Sequence, residues 1–208
     1  MEIIADFVKA VGVTQLKTLT EEKIKEIKEF TFRQDFNENQ WRNFYTDEGR
    51  LLDKEIFTEV REELIGEVCK MADAYGHEYE GINISNSWSF STRDGDPIFH
   101  HNHPNGYFSG VFYLTDGAPL HIIDHSVGSL FFIMPNRDPN KTTKFGNYRI
   151  KIDPKPGMLV LFPAGMYHEV TPYKNGNTRL SIAFNTHPYG QVGTPPTSIV
   201  LPKNILGT

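Results

Sequence analysis

The run Phe99-His100-His101-Asn102-His103-Pro104-Asn105-Gly106-Tyr107-Phe108-Ser109-Gly110-Val111-Phe112-Tyr113-Leu114 reads as two short strands around a Pro-Asn-Gly turn. Alternate residues of a strand share a face, so His101 and His103 point one way while His100 and Asn102 point the other. Two imidazoles at i and i+2 can chelate one divalent metal from a sheet interior. The same grammar extends in both directions from this run. Strands are expected near 82–91, 98–103, 107–115, 120–124, 129–134, 147–152, 158–162, 167–172 and 178–186, separated by Gly, Pro, Asn and Asp. Many short, closely spaced strands make a β-sandwich or barrel.

Residues 1–80 have a different texture, rich in Glu and Lys, and are expected to form a helical support. Thr18 to Glu21 matches a Thr-x-x-Glu capping box, followed by Ile24, Ile27 and Phe30 at three-residue steps. A longer helix is expected from an N-cap at Asp53 toward Tyr75. Ile56, Val60, Leu64 and Val68 give it an apolar stripe, and Gly76 is its stop. Residues 81–187 form the expected β core. The tail 188–208 holds Pro195, Pro196 and Pro202 and is expected to be an extended arm. With no internal repeat and no linker, one domain over 1–208 is the simplest organisation.

Composition narrows the function classes. The 208 residues carry one Cys, so no internal disulfide and no thiolate zinc site can form. A formal charge of −5 argues against holding nucleic acid by bulk charge. No apolar run reaches the ~20 residues of a membrane span. Glu2 and Asp6 stand where a signal peptide needs positive charge. The expectation is a soluble cytoplasmic protein.

Two further motifs bear chemistry. After the Pro156-Gly157 turn, the apolar run Met158 to Phe162 and Pro163 deliver His168 at the start of another strand, a third imidazole distant in sequence. Arg179-Leu180-Ser181 follows. Alternation puts Arg179, Ser181 and Ala183 on one face, with Leu180, Ile182 and Phe184 on the other. An Arg turned into a sandwich is costly unless paired, and its guanidinium fork suits a carboxylate.

Together, His101-x-His103, the downstream His168 and Arg179-x-Ser181 resemble the Fe(II)/2-oxoglutarate-dependent oxygenases. There the pattern is His-x-Asp/Glu, a distant His, then Arg-x-Ser. The runs 103–114 and 157–185 look especially like a branch of these oxygenases common in phage genomes and similar to prolyl-4-hydroxylase-like enzymes. The resemblance covers roughly residues 82–187. It implies a double-stranded β-helix, a jelly roll of the cupin kind, with N-terminal helices. It implies a hydroxylase that converts 2-oxoglutarate to succinate while oxidising a small-molecule or peptidyl substrate. It implies Fe(II) on His101 and His168, and 2-oxoglutarate gripped by Arg179 with Ser181 and Tyr113. Ascorbate would stimulate such an enzyme.

The chain departs from the pattern at His103, where the family has a carboxylate. Three readings stay open at this point. His103 is a third imidazole ligand; or the register shifts, with His103 first and Asn105 in the acid's place; or a carboxylate such as Asp124 arrives from elsewhere. His100, His121 and His125 are expected to be structural or solvent-facing, and Trp88 to sit in the core. Asn86 and Asn105 are candidates for hydrogen bonds to substrate or co-substrate. Two other classes compete with the oxygenase: a non-catalytic cupin-like binder of metal or small ligands, and a structural virion sandwich. Neither requires an inward Arg179. The Pro-rich tail could pack on a second copy in a homodimer.

Overall fold

Two antiparallel β-sheets face each other, and two helices cover the outside of the larger one. The structure is a computed structural model and describes residues 9–32, 36–38, 44–46, 49–93, 95–125, 149–172, 174, 176 and 178–203. The strand expected over 129–134 lies outside the described residues.

The strands, in chain order, are β1 (Gly12–Gln15), β2 (Phe36–Glu38), β3 (Phe44–Thr46), β4 (Gly81–Thr92), β5 (Ile98–His101), β6 (Phe108–Tyr113), β7 (Leu120–Ile123), β8 (Arg149–Ile152), β9 (Met158–Pro163), β10 (Tyr167–Val170), β11 (Arg179–Val192) and β12 (Ile199–Leu201). The major sheet runs β1-β9-β6-β11-β4-β3-β2, with β12 paired to β11. The minor sheet runs β5-β10-β7-β8. Successive strands from β4 to β11 alternate between the two sheets, apart from β7 and β8, which are neighbours in the minor sheet. This is the double-stranded β-helix, or jelly roll.

Helix α1 spans Glu21–Phe32 and α2 spans Thr58–Ala74. The α1 cap differs from the sequence expectation. Thr20 accepts the Lys23 amide through its hydroxyl, while the Thr18 hydroxyl and amide are taken by the Glu63 carboxylate. The second helix starts later than Asp53, after two single 3-10 turns at Leu51–Asp53 and Glu55–Phe57. Asp53 pairs instead with Arg50 at 2.6 Å. Gly76, at φ 69°, ends the helical segment as expected. On α2, Val60, Leu64, Val68, Met71 and Ala72 are buried. They pack with Ile82, Ile84, Leu180, Ile182 and Phe184 from the outer face of the major sheet. Each fully buried aliphatic side chain contributes about 1.5–3 kcal/mol, so this one helix face fixes the back of the sheet.

A second core lies between the sheets, formed by Val111, Tyr113, Leu120, Ile122, Ile152, Val160, Phe162, Met166 and Val170. It fills the sandwich on one side of a cavity. The strand at 178–186 is longer than the sequence suggests. β11 continues to Val192, and β12 folds back on its end, Gly190 opposite Leu201. A bulge between Asn185 and Thr186 in the β4–β11 register resets which β4 side chains face inward. No helix among the described residues is long and apolar enough to cross a membrane.

Candidate metal and carboxylate site

β5 and β10 are antiparallel partners with His101 directly opposite His168. Their ring centroids lie 4.2 Å apart. The strand β5 stops at His101, so His103 does not arrive as a continuation of the ladder. A loop carries it, pinned by its own backbone N–H to the Ala164 carbonyl at 2.9 Å. Its ring comes within 5.0 Å of His101 and 5.1 Å of His168. One ligand atom from each of the three lies within 4.8 Å of the others. Small rotamer adjustments close such a span on an ion with bonds of about 2 Å.

The tautomers suit ligation. His101 Nδ1 donates to the Phe99 carbonyl at 2.7 Å, and His168 Nδ1 to the Met166 carbonyl at 3.3 Å. A carbonyl can only accept, so each Nδ1 carries the proton and each Nε2 keeps its lone pair. Burial, reinforced by the neighbouring His101, pushes the His103 pKa down to about 4. Burial, then His101 and His103, pushes His168 down to about 3. Both rings are therefore neutral near pH 7 and able to bind a cation.

The alternatives for the third position separate geometrically. Asn105 is exposed in the turn beyond His103. Asp124 is drawn to the Lys9 ammonium at 2.8 Å. Neither belongs to the histidine group, which is the one such cluster found among the described residues.

Across the cavity, on the major sheet, Arg179 is only 3% exposed. Its Nε and Nη1 are buried with no hydrogen-bond partner, and so is the Tyr113 hydroxyl. The guanidinium carbon lies 4.9 Å from the centre of the Tyr113 ring. Burial raises the Tyr113 pKa, opposed in part by the Arg179 charge, so the phenol keeps its proton and can donate. Ser181, directly opposite Tyr113 in the β6–β11 pair, is buried beside them. Orphaned buried donors are costly, and here three donor atoms converge in one place. A carboxylate is the group that satisfies them.

The cavity wall holds His101, His103, His168, Arg179 and Ser181 together with Trp88, Phe90, Ile98, Phe162 and Val170. Trp88 is thus not a core residue; it is half-buried, with its ring 5.7 Å from His103. Sequence reasoning did not single out Phe90, Phe162 or Ser109, whose place on the wall follows from strand pairing. The other histidines lie elsewhere. His100 faces outward, bonded to His125 at 2.7 Å and stacked on Tyr167. His121 accepts from Arg149 Nε at 2.9 Å.

Comparison with known proteins agrees with this fold. A family model described as "Putative 2OG-Fe(II) oxygenase" matches residues 86–185. No curated protein sequence matches the chain. Among solved structures, a Pseudomonas putida prolyl-4-hydroxylase is similar with TM-score 0.59 and 16% identity, over 88% of this chain and 94% of that one. HygX from Streptomyces hygroscopicus, solved with nickel and 2-oxoglutarate, gives TM-score 0.63 and 11% identity, over 86% and 83%. The α-ketoglutarate-dependent epimerase SnoN from nogalamycin biosynthesis gives 0.61 and 10%, over 94% and 89%. At these identities the likeness is one of fold.

Proposed function

We propose that the chain is an Fe(II)/2-oxoglutarate-dependent oxygenase, as the family match over residues 86–185 supports, and that it hydroxylates a substrate C–H bond with Fe(II) held by His101, His103 and His168. The Arg179 guanidinium, with Tyr113 and Ser181, binds the distal carboxylate of 2-oxoglutarate. The observation that carries this reading is the pairing of a buried Arg179 whose donors lack partners with three convergent imidazoles on one cavity wall. A non-catalytic cupin-like binder has no use for that arginine.

Iron held there would activate O2, which is the oxidant, with 2-oxoglutarate giving two of the electrons and the substrate C–H bond the other two: O2, 2-oxoglutarate and substrate would yield hydroxylated substrate, succinate and carbon dioxide. The chain's own work is positioning. Nδ1–H bonds to backbone carbonyls orient His101 and His168 and leave their Nε2 atoms free, so that these would hold the metal. Arg179 fixes one end of the co-substrate by two parallel N–H bonds, and Tyr113 adds an O–H donor. The apolar wall of Phe90, Ile98, Phe162 and Val170 keeps bulk water from the reacting centre.

The test is aerobic incubation with Fe(II), ascorbate and 2-oxoglutarate, with succinate measured. Succinate should form slowly without a prime substrate and disappear in Arg179→Ala and His168→Ala. If the wild-type chain bound neither iron nor 2-oxoglutarate, the reading would be abandoned.

A further inference from the structure

A row of polar side chains leads out of the cavity along the inner face of the major sheet. Ser109 lines the cavity, and its hydroxyl donates to Asn185 Oδ1 at 2.6 Å. Asn185 Nδ2 donates onward to Asn86 Oδ1 at 3.0 Å. The three residues come from β6, β11 and β4 and are register partners, Asn185 opposite both Ser109 and Asn86. Ser109 and Asn185 are buried, at 2% and 7% exposure, whereas Asn86 is half-buried at the open end. In this polarity Ser109 and Asn185 consume the carbonyl oxygens of both amides. The Asn86 NH2 is left as the terminal donor, with no acceptor among the described residues.

What stands next to that donor narrows its ligand. Asn86, Trp88 and Phe90 alternate onto one face of β4, and Trp88 and Phe90 form cavity wall beside the histidines. Among the described residues of that wall, Arg179 is the one permanently charged side chain, and none is a carboxylate. A free ammonium therefore meets no counter-charge. Three imidazoles also bring no negative charge to a bound dication, which makes the site less hospitable to cations than a carboxylate-bearing one. A free carboxylate would have only Arg179, which the co-substrate requires.

We propose that Asn86 and Trp88 form the subsite for the oxidised substrate, and that it takes an uncharged amide, with the amide carbonyl accepting from Asn86 Nδ2 and an apolar group lying on Trp88. Free amino acids are excluded by the same features. Ser109 and Asn185 are positioning residues, which hold the Asn86 amide in one orientation. This assignment rests on the oxygenase reading above.

The experiment uses the full chain loaded with Fe(II) and 2-oxoglutarate under argon, so that no turnover occurs. The paramagnetic ion speeds the proton relaxation of any molecule bound near it. N-acetyl-leucine methylamide should show this enhancement and free leucine should not. Asn86→Ala and the near-isosteric Asn86→Asp should each weaken binding of the methylamide by about fivefold or more, the loss of one well-placed hydrogen bond. Equal or greater enhancement for leucine, no enhancement for the methylamide, or an unchanged affinity in Asn86→Ala overturns the proposal. Uptake of 2-oxoglutarate is followed separately by tryptophan fluorescence. Its failure sinks the oxygenase reading as well, whereas normal uptake with the wrong ligand preference sinks this proposal alone.

Discussion

His101 and His168 stand directly opposite one another in the β5–β10 ladder, with both Nδ1 atoms tied to backbone carbonyls two residues upstream. Facing positions in an antiparallel pair bring Cβ atoms to about 5 Å, so the ladder itself sets the bite of the first two proposed ligands. His168→Ala should then abolish tight binding of Fe(II) or Ni(II), measured by equilibrium dialysis.

The third position is tested by comparing three variants. His103→Ala should lower metal affinity by about 10–100-fold or more, the scale seen even for groups that only support a ligand. His103→Asp should retain binding, because it restores a carboxylate at the place where the family has one. Asp124→Asn should leave affinity unchanged, since Asp124 is engaged with Lys9. A large loss in Asp124→Asn would transfer the role to that residue.

Arg179→Lys keeps the charge but loses the planar fork, and one charge-assisted hydrogen bond is worth about 1.5–3 kcal/mol. Its affinity for 2-oxoglutarate should therefore fall by about 10–100-fold, with Arg179→Ala weaker still. Tyr113→Phe removes a buried, unpartnered hydroxyl. It should weaken 2-oxoglutarate several-fold while leaving the thermal stability of the ligand-free chain equal or higher. Isothermal titration and thermal unfolding check the two halves of that statement.

Gly110 is a packing constraint on the same sheet. A Cβ built on it would overlap the Phe184 ring of the neighbouring β11. Both sides are buried, so Gly110→Ala should destabilise the chain by about 1–3 kcal/mol, as overpacked cores do. A lowered urea midpoint with unchanged slope is the expected result.

The histidines predict an acid sensitivity of the metal-free chain. His168 is 7% exposed, and its folded pKa is depressed from 6.5 to about 3. Below pH 6.5 the unfolded chain takes up a proton there that the folded chain refuses. Stability from this residue is therefore complete above pH 6.5 and is lost as pH falls toward 3, at up to about 1.4 kcal/mol per unit. The melting temperature of the metal-free chain should fall between pH 7 and pH 5, and His168→Leu should flatten that slope. Saturating Ni(II) should raise the melting temperature at pH 7.

Much of the site was legible because its signals are local. The alternation in Arg179-Leu180-Ser181-Ile182-Ala183 places Arg179 inward, and β11 follows it. Tyr113 and His168 lie on well-defined strands. What escaped depends on partners distant in the chain. β1, β2, β3 and β12 are three or four residues long. Such segments have too little pattern to register, and they exist because a neighbouring strand satisfies their backbone. The helix start at Thr20 was misread because Glu63, 45 residues from Thr18, captures the hydroxyl that a capping box would use. His103 reaches its neighbours through a loop and not through strand alternation. The Ser109–Asn185–Asn86 row joins residues 76 and 99 positions apart, a juxtaposition that only the register of three strands creates.

The proposed anchors divide between the layers. Arg179, Ser181 and Tyr113 belong to the major sheet, whereas His101 and His168 belong to the minor one. A dicarboxylate held by the guanidinium at one end and by imidazole-bound metal at the other would be a rivet through the seam of the sandwich. Loading and cohesion then become one equilibrium, because a ligand that grips both layers binds only when they are closed. The loaded chain should breathe less along that seam, with slower amide exchange in β5 and β10 than in β1, which lies at the far edge of the major sheet.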